Sequence, residues 1–455
     1  MAPRPGGASP RLRGLAAAVL IAAAGLPAVT TTAAAAASCP SITVPGAERQ
    51  VVACLDDLTT KGTLVSGHTD QADWSGLNAP GAVNPSGVPG VQIDGYFPDT
   101  STGDTNHGWN HDSQFVIRLP EKWNGGLVVA GSPGNRETYA NDFTISDWAL
   151  AKGYAYAATD KGNSGTTFYT DGTRPGDAVA EWNRRVSELA AAAKSVVRQR
   201  YGRAPKRTVA AGQSNGGYLV RWQLENRPDL FDGGVDWEGV LWTATGPNLL
   251  TFLPPALRAY PKGDAAGMAA AGFAPETSFL WPFHYQYYWD LTQRIYREEF
   301  DPSFDGDAQA GTPFCASGTP ACDTDYDYAS RPKAVRQAVA RVSLTGKIKR
   351  PLITVHGTLD TLLPIGQDSD VYAKMIADRH RSPLFRYYRI EGGNHVDGLY
   401  PSYPDKLRPL LPCFRSAFTA LEAWIGTGTP PPSSTTVPRP ASGDLDNTCS
   451  LGAAP

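Results

Sequence analysis

The chain has 455 residues, of which 41% are hydrophobic and 19% are charged, and its formal net charge is −3. This composition is that of a folded globular protein and excludes a disordered or collagen-like chain, despite 47 Gly and 38 Pro residues. The near-neutral charge balance also argues against a nucleic-acid-binding protein, whose binding domain would be strongly basic.

The N-terminal segment has the pattern of a secretory signal. Three arginines precede an apolar stretch from Leu15 to Leu26, and a run of alanines ends at Ala37. We therefore expect cleavage near Ala37 and a secreted mature protein. No later segment reaches the roughly 20 apolar residues that a membrane-spanning helix needs, so no membrane partner is expected.

Export makes disulfide bonds the natural interpretation of the cysteines, because an oxidising compartment preserves them. Six cysteines allow many pairings, and pairing nearest neighbours along the chain is the simplest of them. A zinc site is not expected, since the cysteines lack close paired spacing with histidine. The predicted bonds, each of which fastens an end or a loop, are Cys39–Cys54, Cys315–Cys322 and Cys413–Cys449.

From about residue 113 the chain alternates between short apolar runs and helical patterns. The apolar runs are bounded by Pro and Gly, as strands are, and the helical stretches repeat their apolar residues on one face. Such alternation indicates a mostly parallel sheet with helices on both faces. The predicted strands are 114–119, 126–130, 154–158, 207–211, 351–355 and 385–390, and the predicted helices are 178–201, one ending near 225, 371–379 and 407–425.

The alternation stops between residues 241 and 345. That stretch contains the aromatic run Trp281-Pro-Phe-His-Tyr-Gln-Tyr-Tyr-Trp289 and then an Asp-rich segment. We expect an inserted lid over one end of the sheet, and later an extended Pro/Ser/Thr-rich tail tethered at Cys449. The expected organisation is a signal peptide at 1–37, an α/β core at 38–240 and 346–426, the lid at 241–345, and the tail at 427–455.

The strongest functional signal is Gly212-Gln213-Ser214-Asn215-Gly216, a serine flanked by glycines. It lies between a predicted strand and a predicted helix, which is the context of the nucleophile elbow of α/β-hydrolases. Small residues on either side permit a strained turn that raises the Ser214 hydroxyl above the sheet. The N-terminus of the helix then favours negative charge beside that hydroxyl. An ordinary Gly-rich turn without catalysis is the alternative.

A serine hydroxyl needs a base and an orienting acid to become a nucleophile, and in this fold the acid and then the histidine follow the serine along the chain. Asp360 comes after a predicted buried strand, and His395 lies in a Gly-rich loop after the next strand. We predict that Ser214, Asp360 and His395 form a catalytic triad. In it, His395 takes the proton from Ser214, and Asp360 orients the imidazole ring.

An oxyanion hole needs two convergent backbone N–H groups. One should belong to Asn215, directly after the serine, and the other should come from the loop after an earlier strand. The segment Ala130-Gly-Ser-Pro-Gly-Asn135 offers Gly131 or Ser132 as this second donor. An ordinary Gly/Pro turn is the alternative for that segment.

Other polar residues have simpler explanations. His356 lies at a strand end, where a packed histidine is expected, and Asp397 is too close to His395 in sequence to orient its ring. His107 and His111 lie in polar, Gly-containing surroundings that favour a loop over a metal site. No EF-hand spacing is present, so a solvated loop is favoured over calcium binding, and no cofactor is expected. The aspartates that calcium binding would use are Asp301, Asp305, Asp307, Asp323, Asp325 and Asp327.

The serine motif, the segment Val355-His-Gly-Thr-Leu-Asp360 and the loop Gly392-Gly-Asn-His395 together resemble the tannase and feruloyl esterase group of α/β-hydrolases. The resemblance extends from about residue 113 to 439 and includes Thr159-Asp-Lys-Gly162. The segment 395–440 is also similar to secreted 3-hydroxybutyrate oligomer hydrolases. These resemblances imply an α/β-hydrolase fold with an inserted lid and a serine carboxylesterase that needs no cofactor.

One difference from this group concerns the residues beside the serine and the histidine. Tannase-like enzymes carry a cysteine just before the serine and another just after the histidine, and the two form a disulfide beneath the site. Here Gln213 and Val396 occupy those positions. We expect packing, or a side-chain hydrogen bond from Gln213, to support the histidine loop instead.

These features predict a secreted serine carboxylesterase, a monomer that acts on a small aromatic ester or a feruloylated cell-wall polysaccharide. The lid aromatics would offer flat faces to a planar acyl group, although such residues often only pack the lid. Hydroxybutyrate oligomers, other phenolic esters, peptide amides and a non-catalytic wall-binding role are the alternatives. The predicted substrate-binding residues are Gln213, Trp281, Phe283, Tyr287 and Trp289.

Overall fold

The structure is a computed structural model that describes residues 39–304 and 323–452. The predicted signal peptide and the predicted Cys315–Cys322 bond lie outside these residues, as do Asp305 and Asp307 of the lid. Within the two described ranges, no helix combines the length and the apolar character needed to cross a membrane.

The described strands are β1 (Arg49–Leu55), β2 (Gly90–Tyr96), β3 (Gln114–Pro120), β4 (Gly126–Gly131), β5 (Ala155–Thr159), β6 (Arg207–Gln213), β7 (Gly233–Trp237), β8 (Leu352–Gly357), β9 (Phe385–Ile390) and β10 (Thr435–Val437). They form one sheet in the order β1-β2-β3-β5-β4-β6-β7-β8-β9-β10. Pairing is antiparallel from β1 through β3 to β5 and parallel from β5 onwards. The predicted mostly parallel sheet is confirmed.

Strand β4, near the middle of the sheet, is continuously apolar because both of its faces are covered. In β4, Leu127 and Val129 belong to one hydrophobic cluster, whereas Val128 and Ala130 belong to a second cluster. Successive side chains of a strand point to opposite faces of the sheet. The sheet therefore has an apolar core on each side, as a parallel sheet within an α/β fold requires.

The described α-helices are α1 (Thr60–Ser66), α2 (Asp147–Ala151), α3 (Asp177–Tyr201), α4 (Asn215–Asn226), α5 (Leu249–Ala259), α6 (Ala265–Ala270), α7 (Trp281–His284), α8 (Asp290–Phe300), α9 (Lys333–Ala340), α10 (Ser369–Asp378) and α11 (Leu411–Thr427). Helix α3 packs Val186 and Leu189 into the first cluster, and their spacing places both side chains on one helical face. Helix α11 packs Phe414 and Phe418 into the second cluster.

The lid is helical in its described part, because α5 to α9 all lie in the segment where the alternation stops. Asn248 starts α5 by accepting the N–H of Leu250, and Thr251 completes a capping box. The Trp289 indole N–H, next to α8, donates to the carbonyl oxygen of Thr361 at 2.6 Å. This bond fastens the lid to the loop that follows β8.

Disulfides fasten both described ends of the chain. The predicted bonds Cys39–Cys54 and Cys413–Cys449 are both present. The described part of the tail contains one short strand, β10, which pairs in parallel with β9. The tail is thus held by backbone pairing as well as by Cys449.

Four strands, β1, β2, β7 and β10, were not predicted, and the reason is their polarity. Strand β2 carries Gln92 and Asp94, both fully buried, and the Gln92 amide donates to the Asp94 carboxylate. Strand β7 has two glycines and the buried Asp236, which forms a 2.6 Å ion pair with Arg221. Polar residues whose partners lie elsewhere in the chain break up the apolar pattern that marks a strand.

Candidate active site

Ser214 lies in the tight turn between β6 and α4, with the backbone angles φ 57° and ψ −119°. This positive φ is unfavourable for a residue with a side chain, and such strain is typical of functional turns. The flanking glycines make the turn possible. A Cβ atom on Gly212 would lie 2.3 Å from the backbone of Gly216, and a Cβ atom on Gly216 would lie 2.5 Å from the carbonyl oxygen of Gly131.

The structure brings Ser214, His395 and Asp360 into one hydrogen-bonded chain. The Nε2 atom of His395 lies 3.1 Å from the Ser214 hydroxyl oxygen, and its Nδ1 atom lies 2.8 Å from Oδ2 of Asp360. Asp360 follows β8 and His395 follows β9, so their loops meet Ser214 at the carboxyl ends of parallel strands. The arrangement can move a proton from the serine to the imidazole while a carboxylate holds the ring.

The surroundings of Asp360 keep its carboxyl group ionised. Burial opposes ionisation, but the neighbouring His395 and His356 hold the pKa of Asp360 well below its usual range. The other carboxylate oxygen accepts the backbone N–H groups of Leu362 and Leu363 at 2.7 and 2.8 Å. Burial by itself would lower the pKa of His395. The negative charge of Asp360 has the larger effect, so the pKa of His395 is raised above its ordinary value.

Glu238, which was not predicted, also faces the histidine. It follows β7 and is fully buried, and its Oε2 atom lies 3.3 Å from Nδ1 of His395. Burial, and then the charge of Asp360, raise the pKa of Glu238. The sequence did contain a signal for Glu238, because it is a charged residue between the apolar residues Trp237 and Val240.

Glu238, Asp360 and His395 are the one cluster among residues 39–304 and 323–452 whose donor atoms could surround a metal ion, all within 4.8 Å of one another. Asp360 and His395 use these atoms to bond each other. A metal ion there would have to break the hydrogen bond that orients the imidazole.

Gln213 supports the histidine loop, as expected from the absence of the two cysteines. Its side-chain amide donates to the carbonyl oxygen of His395 at 3.0 Å. Val396 is buried and belongs to the second hydrophobic cluster. One hydrogen bond and apolar packing therefore join the serine turn to the histidine loop.

The loop after β4 reaches the site, but not through the predicted oxyanion donors. The backbone N–H of Ser132 donates to the carbonyl oxygen of Thr159 at 3.0 Å, so it is not free to bind an oxyanion. Gly131 is buried at the end of β4 and does not line the pocket beside Ser214. The residues of this loop that line that pocket are Pro133, Gly134, Asn135 and Arg136.

Asn215 connects three parts of the site. Its backbone N–H begins α4 directly after the serine, as predicted for an oxyanion donor. Its side-chain amide donates to the carbonyl oxygen of Gly134 at 2.9 Å and to the hydroxyl of Tyr296 at 2.6 Å. The serine turn, the loop after β4 and lid helix α8 are therefore held together by one side chain.

A pocket of about 190 Å³ opens beside Ser214 and His395, and lid residues form much of its wall. Of the predicted substrate-binding residues, Gln213 and Tyr287 line it, together with the unpredicted Tyr288. The other three do not. Trp281 and Trp289 are buried in the lid core, and Phe283 packs against other lid aromatics.

The alternative acid and base candidates have structural roles. Asp397 accepts the backbone N–H groups of Leu410 and Leu411 at 2.7 and 2.9 Å, so it caps α11. His356 is fully buried, with Nδ1 2.6 Å from the hydroxyl oxygen of Ser369. Neither side chain contacts Ser214.

Three of the four described aspartates of the Asp-rich lid segment are engaged with protein groups. Asp301 is paired with Arg331 at 2.5 Å, and Asp323 is paired with Arg297 at 2.6 Å. Asp327 accepts the backbone N–H of Ala329 at 3.1 Å.

Comparison with known proteins agrees with this geometry. The model of the tannase and feruloyl esterase family matches residues 101–236, and the model of the 3HB-oligomer hydrolase family matches residues 312–453. Feruloyl esterase B from Aspergillus oryzae superposes with a TM-score of 0.50 and 16% identity, over 86% of this chain and 89% of that one. The fold is that of the α/β-hydrolases. The predicted resemblance to the tannase-like group is confirmed.

Sequence relatives of known activity match only a part of this α/β-hydrolase. The D-(-)-3-hydroxybutyrate oligomer hydrolase of Azoarcus sp. (strain BH72) is 31% identical over 120 residues, which are 24% of this chain and 17% of that protein. The enzyme of the same name from Ralstonia pickettii is 29% identical over 135 residues, 29% of this chain and 18% of that protein. The alignments thus span less than a fifth of the relatives' length.

Proposed function

We propose that this protein is a secreted serine carboxylesterase that hydrolyses hydroxycinnamate esters through an acyl-enzyme. The observation that carries the proposal is the chain of hydrogen bonds from Ser214 through His395 to Asp360, at 3.1 and 2.8 Å. The serine also occupies a strained strand-to-helix turn, which is the geometry of an exposed nucleophile. Two disulfides support the secreted location, because such bonds persist in oxidising compartments.

In the proposed reaction, the Ser214 oxygen attacks the ester carbonyl carbon while its proton passes to Nε2 of His395. The tetrahedral oxyanion accepts the N–H of Asn215 and an N–H of the loop after β4. His395 then protonates the alcohol oxygen, the carbon–oxygen bond of the ester breaks, and the acyl group remains on Ser214. Water, deprotonated by the same imidazole, releases the acid and restores the serine.

The pocket walls favour a planar acyl group. Tyr287 and Tyr288 line the pocket with the apolar side chains of Leu291 and Ile295. Tyrosine rings stack on flat aromatic surfaces. A hydroxycinnamoyl group esterified to a cell-wall polysaccharide has such a surface, and its sugar would remain outside the pocket.

The first test compares initial rates on methyl ferulate and on a 3-hydroxybutyrate dimer. We expect turnover of methyl ferulate and a loss of at least about 1,000-fold in Ser214→Ala, since the nucleophile is removed. Ser343→Ala, a serine outside the pocket, is the matched control and should keep the wild-type rate. Equal rates for Ser214→Ala and the wild type would contradict the serine mechanism.

A second substrate class is favoured by Arg136. Among the described residues that line the pocket, Arg136 is the only lysine or arginine. Two of its N–H groups donate to the carbonyl oxygens of Asp73 and Ser75, which leaves others for a ligand. A carboxylate at the end of a hydroxyalkanoate oligomer would pair with this guanidinium.

The two substrate classes differ in charge, so the test uses the 3-hydroxybutyrate dimer and its methyl ester. If the oligomer is the substrate, the free acid should be preferred by about tenfold or more, and Arg136→Gln should remove that preference. Preference for methyl ferulate, unchanged in Arg136→Gln, would decide for the hydroxycinnamate ester.

A further inference from the structure

His395 has two carboxylates on the side of its ring that faces away from Ser214. The Nδ1 atom lies 2.8 Å from Oδ2 of Asp360 and 3.3 Å from Oε2 of Glu238. A triad needs one acceptor at this position. The second carboxylate is therefore not explained by the proposed reaction.

Backbone contacts on both sides hold Glu238 in place. Its Oε1 atom accepts the backbone N–H of Gly357 at 2.9 Å, and its own N–H donates to the carbonyl oxygen of Val355. Its backbone adopts φ 50°, in the left-handed region. These bonds direct Oε2 towards the imidazole, where it is buried without a hydrogen-bond partner.

A buried polar atom without a partner is costly, and such atoms at active sites call for an explanation. The titratable groups that face Glu238 are Asp360 and His356 from the β8 segment and His395 from the loop after β9. Asp236, on its own segment, is paired with Arg221. The imidazole N–H of His395, whose nitrogen lies 3.3 Å away, is a donor that Oε2 could share.

We propose that Glu238 is a second positioning residue for His395. The Glu238 carboxylate can accept the Nδ1–H of His395 in place of Asp360, and it shares with Asp360 the stabilisation of the positive charge of the imidazolium. This inference rests on the proposed serine esterase mechanism. Because the two acids follow neighbouring strands of the sheet, β7 and β8, either can hold the same ring orientation. The site therefore contains a substitute for its own orienting acid.

The proposal predicts how the site behaves when Asp360 is neutral. In Asp360→Asn the negative charge that raises the pKa of Glu238 is removed, while burial still raises it. The pKa of Glu238 then falls, and the carboxylate forms at a lower pH than in the wild type. An ionised Glu238 keeps the hydrogen on Nδ1, so that Nε2 stays free to accept the serine proton.

The test measures labelling of Ser214 by a fluorophosphonate probe between pH 5 and about 9, a range that spans the titration of perturbed carboxyl and imidazole groups. In this reaction the Ser214 oxygen displaces fluoride from phosphorus, and the proton passes to His395. We expect Asp360→Asn to label with a rate that rises with pH. The double variant Asp360→Asn/Glu238→Gln should lose this rise and label at least about tenfold more slowly.

Glu225→Gln in the Asp360→Asn background is the matched control. Glu225 is another buried glutamate, bonded to Thr345 and Tyr372, and its replacement should leave the pH profile of Asp360→Asn unchanged. Thermal unfolding of every variant shows whether the fold is kept. A double variant that matches Asp360→Asn in rate and in pH profile would overturn the proposal, as would a flat profile of Asp360→Asn alone.

A second measurement does not depend on any reaction at the serine. Nitrogen NMR of the imidazole, assigned with His395→Gln, follows the titration of His395 in the wild type and in Glu238→Gln. Since Glu238 contributes to the raised pKa of His395, we expect the titration to move to lower pH in Glu238→Gln. An unchanged titration refutes the role of Glu238, whereas a shifted titration without labelling of Ser214 refutes only the esterase mechanism.

Discussion

Gln213 shows how one residue substitutes for a cross-link. The Gln213 amide donates to the carbonyl oxygen of a residue that is 182 positions away in sequence, and it holds His395 beside Ser214. A hydrogen bond between neutral groups contributes about 1 kcal/mol, less than a disulfide does. The site therefore depends on the packing of Val396 as well as on this bond.

The same geometry predicts that cysteines at these two positions will pair. Because Gln213 and Val396 flank the serine and the histidine, Gln213→Cys/Val396→Cys should form a disulfide under oxidising conditions, detected by thiol titration and mass spectrometry. The single variant Gln213→Cys should keep one free thiol. Two free thiols in the folded double variant would show that the two segments are not placed as in the tannase-like group.

At the scale of elements, helix α11 begins where Asp397 caps it. The Asp397 carboxylate accepts the first two N–H groups there, from Leu410 and Leu411, and side-chain caps stabilise helices by about 1–2 kcal/mol. We expect Asp397→Ala to lower the free energy of unfolding by about that amount in urea denaturation. Asp397→Asn, which keeps an acceptor oxygen, should lose less; an equal loss in both variants would contradict the capping role.

At the scale of the whole molecule, the tail is joined to the core by the Cys413–Cys449 bond and by β10. The bond closes a loop with a sequence separation of 36 residues, and disulfides that close loops of this size stabilise by about 2–4 kcal/mol. Cys413→Ser/Cys449→Ser should lower the free energy of unfolding by about that amount. Cys39→Ser/Cys54→Ser, with a separation of 15 residues, should cost slightly less; no loss in either variant would show that the described ends do not depend on these bonds.

Much of the fold could be predicted because its central elements are locally consistent. Strand β4 is an uninterrupted apolar run, and α3 repeats its apolar residues on one face, so each element is visible in a short window of sequence. The antiparallel strand β2 was missed because its buried polar residues Gln92 and Asp94 interrupt the apolar pattern. Strand β7 was missed because it contains the charged residue Asp236, whose burial depends on an ion pair with Arg221 in helix α4.

The active site likewise has parts that the sequence could predict and parts that it could not. The serine turn was predictable because both glycines stand close to Ser214 in sequence and Gly212 is required by its contact with Gly216, and the order of acid and histidine follows from the fold. The lid contacts were not predictable, because a row of aromatic residues in sequence does not tell which of them face a pocket. Tyr287 faces it, and Trp281 and Trp289 do not.

From the amino-acid sequence alone we could predict the alternation of strands and helices, the strained serine turn and the positions of the acid and the histidine along the chain. Local patterns suffice for the strands, the helices and the serine turn, and the order of acid and histidine follows from the fold class. The tertiary structure was needed to show that Glu238 stands beside Asp360 at the same imidazole, that Gly134 and Asn135 rather than Ser132 line the pocket, and that Arg136 faces it. Those contacts join loops from different strands, and the order of strands in the sheet is set by packing over the whole chain.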